Sequence, residues 1–174
     1  MKVLLVIDHF GSGGAQRQIV ELACGLQHRG HSVEMFIYFP QHDFFRARLD
    51  QNRIVVHECA KRRRFSVGVV RKLSSLMRTG GYDVVVSYLS SPNLYAELAR
   101  VCSCGPTLIV SERTSHHDDK SRLGALLRRL MHALASHVVA NSRAQSIWLQ
   151  RHWWLVLSET ISVGPHEQTL ASSA

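Results

Sequence analysis

A cluster of glycines near the start of the chain is the first set of residues whose spacing suits chemistry. Gly11, Gly13 and Gly14 follow a short apolar run, Val3 to Ile7, and precede an amphipathic segment from Ala15 to Arg29. Glycines let the backbone turn sharply and leave room for a ligand to approach it. The segment after them predicts a helix, and a helix N-terminus offers free N–H groups and a positive dipole to an anion. The pattern therefore predicts an anion site, with a tight turn that binds no ligand as the alternative.

Two common nucleotide-binding motifs do not fit this turn. The dinucleotide fingerprint needs glycines at its first, third and sixth positions and an acid near the end of the second strand. Gly11 and Gly13 supply the first two, but Gln16 takes the sixth position, and Pro40 rather than an acid lies just beyond the predicted strand Val33 to Tyr38. No Gly-Lys-Ser/Thr follows, as a P-loop would require. A nicotinamide or flavin site is disfavoured, and we expect no cofactor.

The spacing of apolar runs predicts an α/β fold. The predicted strands are Val3 to Ile7, Val33 to Tyr38, Ile54 to His57, Asp83 to Ser87, Thr107 to Ser111, Val138 to Ala140 and a last one in Glu159 to Val163. Helical periodicity between them predicts helices over Ala15 to Arg29, Ser66 to Thr79 and Leu94 to Val101, and others beginning at Ser121 and Ser142. Apolar strands that alternate with amphipathic helices predict a single Rossmann-like domain, with a mostly parallel sheet and helices on both faces.

Several stretches of the sequence resemble the N-terminal domain of family 4 glycosyltransferases, which have the GT-B fold. Gly13 to Arg17, followed by Arg29 to Val33, is similar to the opening of such enzymes. Tyr82 to Ser87 resembles the middle strand of that domain, and Ala135 to Ser142 resembles its last strand and turn. The resemblance covers residues 1–150 and implies one half of a GT-B fold.

The resemblance also implies roles for particular residues. In this family the N-terminal half mainly binds the acceptor, and its glycine turn lies in the cleft near the donor's phosphates. Substrate-binding roles are therefore expected for Gly13, Gly14, Gln16 and Arg17. The family retains anomeric configuration and needs no bound metal, so no metal site is expected.

Polar residues after two later strands are the other candidates, because ligands gather at the carboxyl ends of parallel strands. Ser90 and Asn93 follow the fourth strand and are expected to contact the acceptor, whereas capping of the next helix is the alternative role for Ser91 and Asn93. Glu112, Arg113 and His116 follow the fifth strand and are the catalytic candidates. Many family members have a histidine where Glu112 stands here, which puts a catalytic role for His116 in question.

The formal net charge of +8 favours acidic partners such as nucleotide-sugars, anionic lipids or nucleic acid. Nucleic acid is disfavoured, because no recognised motif is present and aromatic residues are not interleaved with the basic runs. The basic run Lys61 to Arg64 is expected to be a solvated loop or a contact with an anionic membrane surface. The four cysteines, Cys24, Cys59, Cys102 and Cys104, are expected to be reduced thiols. The N-terminus does not read as a signal peptide.

The resemblance implies transfer of a sugar from a nucleotide-sugar to a glycan or lipid-linked acceptor, in the cytoplasm or at the inner membrane face. Residues 1–152 are expected to form the N-terminal domain, and 153–174 an apolar segment and tail where a second, donor-binding domain would begin. The chain is therefore expected to be weakly active or inactive alone. The alternative is a non-catalytic partner subunit that completes a transferase in trans, which exposed apolar surface around Trp148, Trp153, Trp154 and Leu155 would favour.

Overall fold

The apolar runs of the sequence form the strands of one sheet. A computed structural model describes residues 1–61, 64–103, 105–112, 132–140 and 160–162. The strands are β1 (Lys2–Val6), β2 (Ser32–Ile37), β3 (Val55–Glu58), β4 (Val84–Tyr88), β5 (Thr107–Glu112), β6 (His137–Ala140) and β7 (Thr160–Ser162). Their order across the sheet is β3-β2-β1-β4-β5-β6-β7, and every neighbouring pair is parallel. The predicted α/β, Rossmann-like class is confirmed.

Four helices lie within the described part of the chain. They are α1 (Gly14–His28), α2 (Arg46–Gln51), α3 (Val67–Thr79) and α4 (Ser90–Val101). The start of α4 corrects the prediction, because Ser90 and Asn93 belong to the helix and not to a loop before Leu94. The helix predicted over Ser66 to Thr79 begins at Val67, with Ser66 in the N-cap position, and the Ser66 side chain makes no capping hydrogen bond. The helices predicted from Ser121 and Ser142 lie outside the described residues.

Both faces of the sheet are buried, which explains why the strands are nearly continuous apolar runs. One face carries Leu4 and Val6 of β1 and packs against α3 and α4, through buried residues such as Leu73. The other face carries Leu5 of β1 and packs against α1, through residues such as Ile19. Alternate residues of β1 therefore serve two separate cores.

One acidic residue interrupts this apolar pattern near the amino-terminal end of the sheet. Glu34 of β2 accepts hydrogen bonds from His57 Nε2 and from the Tyr82 hydroxyl, both at 2.6 Å, and lies 2.8 Å from Lys2 Nζ. Its side chain is 16% exposed. Partial burial acts to raise the pKa of Glu34, but the hydrogen bonds from His57, Lys2 and Tyr82 outweigh it and lower the pKa to about 2.

The Glu34 cluster makes part of the fold's stability pH-dependent. Because the folded pKa lies below the ordinary value of 4.5, the ionised carboxylate stabilises the fold above that value, and this contribution is lost as pH falls toward 2. We expect Glu34→Gln to lower the free energy of unfolding by about 2 kcal/mol at neutral pH and by much less at low pH. Urea denaturation across this pH range measures the difference.

The matched control is Glu21→Gln, which removes an exposed carboxylate paired with Arg48. Exposed pairs contribute little, so this variant should change the free energy of unfolding by less than about 0.5 kcal/mol at every pH. An equal loss for Glu34→Gln at low and neutral pH would show that the cluster acts through packing and not through charge.

Candidate functional site

The strand order creates a crevice at one point of the sheet. β1 connects through α1 to β2 on one side, whereas its other neighbour, β4, connects through α4 to β5. Ligands of open α/β sheets bind outside the carboxyl ends of the strands where the order reverses in this way. The turn before α1 and the turn before α4 therefore border the same crevice.

The turn in which the sequence predicts an anion site lies at the start of α1. Gly13 is the N-cap residue, with extended backbone, and Gly14 is the first helical residue. No hydrogen bond among the described residues uses the amides of Gly14, Ala15 or Gln16, and the first turn carries no acidic side chain. Arg17 is exposed on the next position. Free amides, a helix dipole and a nearby guanidinium suit a phosphate.

Gln16 closes one side of this turn and leaves the other side open. Its side chain is buried, and Nε2 donates a hydrogen bond to Asp8 Oδ1 at 3.2 Å. A Cβ on Gly13 would lie 2.2 Å from Gln16 Oε1, so glycine is needed for Gln16 to fold back in this way. A Cβ on Gly14 would meet nothing within 4 Å. The space beside Gly14 is therefore available to a ligand.

The structure adds two candidates that belong to no spacing motif, Asp8 and His9, which follow β1 after one intervening residue, Ile7. Asp8 Oδ1 also accepts a hydrogen bond from the His9 amide at 2.9 Å. His9 Nδ1 accepts one from the Gly11 amide at 2.9 Å, so the neutral ring carries its proton on Nε2. The His9 ring lies 5.0 Å from that of His42, in the loop after β2. The strand-end rule, applied to the first strand, is the signal that identifies both residues.

The turn before α4 has a strained backbone. Leu89 has φ 77° and ψ 152°, a region that glycine alone adopts readily. Its amide donates to the Ser111 carbonyl at 3.3 Å, and its carbonyl accepts from the Asn93 amide at 2.9 Å. Asn93 Nδ2 donates to the same Ser111 carbonyl at 3.2 Å. These bonds hold the turn, which brings β4 directly into α4 and explains why the helix starts at Ser90.

The N-cap residue of α4 is Leu89, which makes no side-chain capping hydrogen bond. Ser91 Oγ instead accepts a hydrogen bond from the Tyr38 hydroxyl at 2.9 Å. Burial raises the pKa of Tyr38 well above its ordinary value of 10, which keeps this donor protonated. Asn93 is fully buried, whereas Ser90 is half-buried at the crevice.

The catalytic candidates lie largely outside the described residues. Glu112 is the last residue of β5 and pairs with Ala140 of β6, so its backbone is at the carboxyl edge. The side chain of Glu112 and the whole of Arg113 and His116 are beyond the described ranges, and their roles stay predictions. Residue 104 is outside as well, and the described Cys24, Cys59 and Cys102 are free thiols.

The described part of the chain contains neither a metal-binding cluster nor a helix that could cross a membrane. Among those residues, no group of three or more His, Cys, Asp or Glu side chains is placed to hold a metal ion. No described helix combines the length and the apolar character that crossing a membrane requires.

Comparison with known proteins identifies relatives of this arrangement. The profile of Glycosyltransferase Family 4 matches residues 12–165. HepE from Anabaena, solved with UDP-glucose, is 17% identical with a TM-score of 0.71, over 93% of this chain and 43% of that one. The lipopolysaccharide outer core galactosyltransferase WaaB, in its apo form, is 17% identical with a TM-score of 0.66, over 87% and 42%. A UDP-GlcNAc 2-epimerase from Methanocaldococcus jannaschii is 12% identical with a TM-score of 0.59, over 87% and 42%.

These structural likenesses show the fold alone, because their sequence identities are low. The chain spans less than half the length of each of the three structures. A comparison with curated protein sequences gave no significant match.

The backbone strain at Leu89 can be tested by substitution. Leu89→Gly and Leu89→Ala remove nearly the same side-chain contacts, but only glycine relieves the positive φ. We expect Leu89→Gly to be more stable than Leu89→Ala by about 1 kcal/mol. Urea denaturation of the two variants measures this difference.

Leu22 of α1 is the control, because it is also a half-buried leucine packed on the same core as Leu89. Its backbone is ordinary helix, so Leu22→Gly should be less stable than Leu22→Ala by about 1 kcal/mol. If both positions show the same order of stability, Leu89 is not strained.

Proposed function

The chain belongs to glycosyltransferase family 4, and on that premise we propose that it binds a nucleotide-sugar donor and a glycan or lipid-linked acceptor at the carboxyl edge of its sheet. The observation that carries the proposal is the start of α1. Three amides without an acceptor among the described residues lie beside open space at Gly14, next to the point where the strand order reverses. This arrangement suits the diphosphate of a nucleotide-sugar.

The donor class is supported by the chemistry of the turn and by one structural relative. HepE was solved with UDP-glucose and with UDP. In this chain, the amides of Gly14, Ala15 and Gln16 would bind phosphate oxygens, and Arg17 would add positive charge. His9 Nε2–H is a further donor at the same edge. Such groups stabilise the charge that develops on a departing diphosphate, and they need no bound metal to do so.

The reaction is transfer of the sugar to an acceptor hydroxyl. The hydroxyl oxygen forms a bond to the anomeric carbon and loses its proton, the bond from that carbon to the diphosphate breaks, and the departing diphosphate takes up the proton. We assign Glu112, Arg113 and His116 to the reacting centre because Glu112 ends β5 at the carboxyl edge of the sheet and the other two come next in the sequence. Arg113 would stabilise the leaving diphosphate. Ser90 and Asn93, at the start of α4, would lie on the acceptor side, with Asn93 acting through the turn that it holds.

A lipid-linked acceptor is supported by the surface near the same edge. Phe44 is 70% exposed and Phe65 46%, in the loops that follow β2 and β3. The exposed Arg64 lies beside Phe65, and the whole chain is basic. Exposed aromatic rings beside positive charge favour an anionic membrane surface, so we propose peripheral contact with the cytoplasmic face.

The alternative, a non-catalytic partner subunit that completes a transferase in trans, depends on apolar residues outside the described ranges. The relatives' greater length fits either a larger enzyme or such a partner.

The test is Gly14→Ala, followed by NMR titration with UDP. A methyl group there meets no protein atom, so the fold should be as stable as the wild type or more so. The same methyl group would occupy the space proposed for phosphate. We expect UDP to shift the amide signals of Gly14, Ala15 and Gln16 in the wild type, and to bind Gly14→Ala at least about fivefold more weakly.

Gly25→Ala is the matched control, because its added methyl also meets no atom within 4 Å but lies toward the C-terminal end of α1. It should bind UDP with unchanged affinity. If Gly14→Ala binds UDP as tightly as the wild type does, the donor phosphates do not bind at this turn. The same conclusion follows if UDP shifts only signals from other parts of the wild-type chain.

A further inference from the structure

Lys61, just beyond β3, is held above three aromatic rings. Its Nζ lies 5.1 Å from the ring centroid of Tyr38, 5.4 Å from that of Phe39 and 5.0 Å from that of Tyr95. A cation within about 6 Å of a ring face is attracted by the ring's quadrupole. The Lys61 amide also donates to the Tyr38 carbonyl at 2.9 Å. Both ends of this residue are therefore fixed by the aromatic box, which we define as Tyr38, Phe39 and Tyr95.

The aromatic box is rigid and borders the crevice. Tyr38 and Tyr95 are almost fully buried and form an edge-to-face pair at 5.2 Å. Tyr95 belongs to α4, and its hydroxyl accepts a hydrogen bond from the Ser66 amide at 3.1 Å. The Tyr38 hydroxyl donates to Ser91, in the first turn of the same helix. The Lys61 ammonium is therefore held in place near the start of α4.

The charge of Lys61 has no counter-ion in the described part of the chain. The ion pairs found there include those of Lys2 with Glu34, Arg46 with Glu58 and Arg48 with Glu21. None of the ion pairs found there includes Lys61. No hydrogen bond joins its Nζ to a described acceptor either. The ring faces attract the charge, but the three N–H donors of the ammonium are left for another partner. A ligand can supply that partner.

The neighbouring groups indicate what kind of ligand fits. Phe65 stacks on Tyr95, with ring centroids 5.5 Å apart and planes 15° apart, and it is 46% exposed. Ser91 is exposed and accepts the Tyr38 proton, so its own proton is available to a ligand. An open aromatic face, a hydroxyl donor and an unpaired ammonium suit a sugar ring that carries an anionic group.

We propose that Lys61 determines acceptor specificity by selecting a sugar that bears a phosphate or carboxylate group over a neutral sugar. This inference rests on the proposed function, because it takes the crevice to be where the acceptor binds. The anion would lie against the Lys61 ammonium, and the sugar ring would lie near Phe65 and Ser91.

The experiment titrates the protein with three probes, glucose 6-phosphate, glucuronate and glucose, and follows binding by NMR. We expect one or both anionic sugars to bind at least about tenfold more tightly than glucose, and the two anionic probes distinguish phosphate from carboxylate. Lys61→Met should remove this preference and leave the affinity for glucose unchanged. Lys61→Arg should keep much of it. Lys72→Met removes an exposed lysine of α3 and should change nothing.

The wild-type protein gives a second readout that needs no variant. The ε-methylene signals of Lys61 should be shifted upfield by the rings and should move with the anionic sugars but not with glucose. A wild type that binds all three probes equally would overturn the inference, as would an equal loss of glucose and glucose 6-phosphate binding in Lys61→Met. UDP titration of the same samples reports on the proposed donor site separately. If UDP binding is intact, the inference about Lys61 is wrong but the proposed donor site is not.

Discussion

The geometry of the crevice depends on the parallel hydrogen bonding of β1 to β2 on one side and to β4 on the other. Val6, near the end of β1, is in register with Phe36 of β2 and with Ser87 of β4. The three strands therefore end at nearly the same height. The connection after β1 leaves toward β2, and the one after β4 leaves toward β5, so the two helices begin on opposite sides of the gap. No side chain at the crevice would be in place without this pairing.

The two turns at the crevice are held in place by different interactions. Before α1, glycines leave backbone amides exposed. Gln16 donates a hydrogen bond to Asp8, so the Asp8 carboxylate is hydrogen-bonded beside the proposed phosphate site. Before α4, Leu89 keeps a conformation that glycine would adopt more easily, and bonds to Ser111 and Asn93 maintain it. Positive groups border both turns, whereas the Glu34 cluster lies near the opposite end of the sheet. The fold thus separates an acid-sensitive structural cluster from an edge suited to anions.

Apolar spacing was enough to predict the strands, the helices α1 and α3 and the fold class, because burial on both faces dominates these segments. The family was indicated instead by the resemblance of particular motifs, such as Gly13 to Arg17. Composition could not place the start of α4, since no propensity puts leucine at a positive φ. It could not identify the aromatic box either. Tyr38 and Tyr95 are far apart in sequence, and only tertiary packing brings both under Lys61. The contact between Asp8 and Gln16 could not be predicted either, because it depends on how one turn folds back on its strand.

The outer strand β3 also bears on how copies of the chain can associate. It has four residues, and its last, Glu58, forms an ion pair with Arg46 of α2. Val55 is 54% exposed at its other end. A long, flat, apolar edge invites another chain to extend the sheet, whereas a short edge with charged side chains discourages it. Self-association by strand addition is therefore disfavoured at β3, despite the exposed valine.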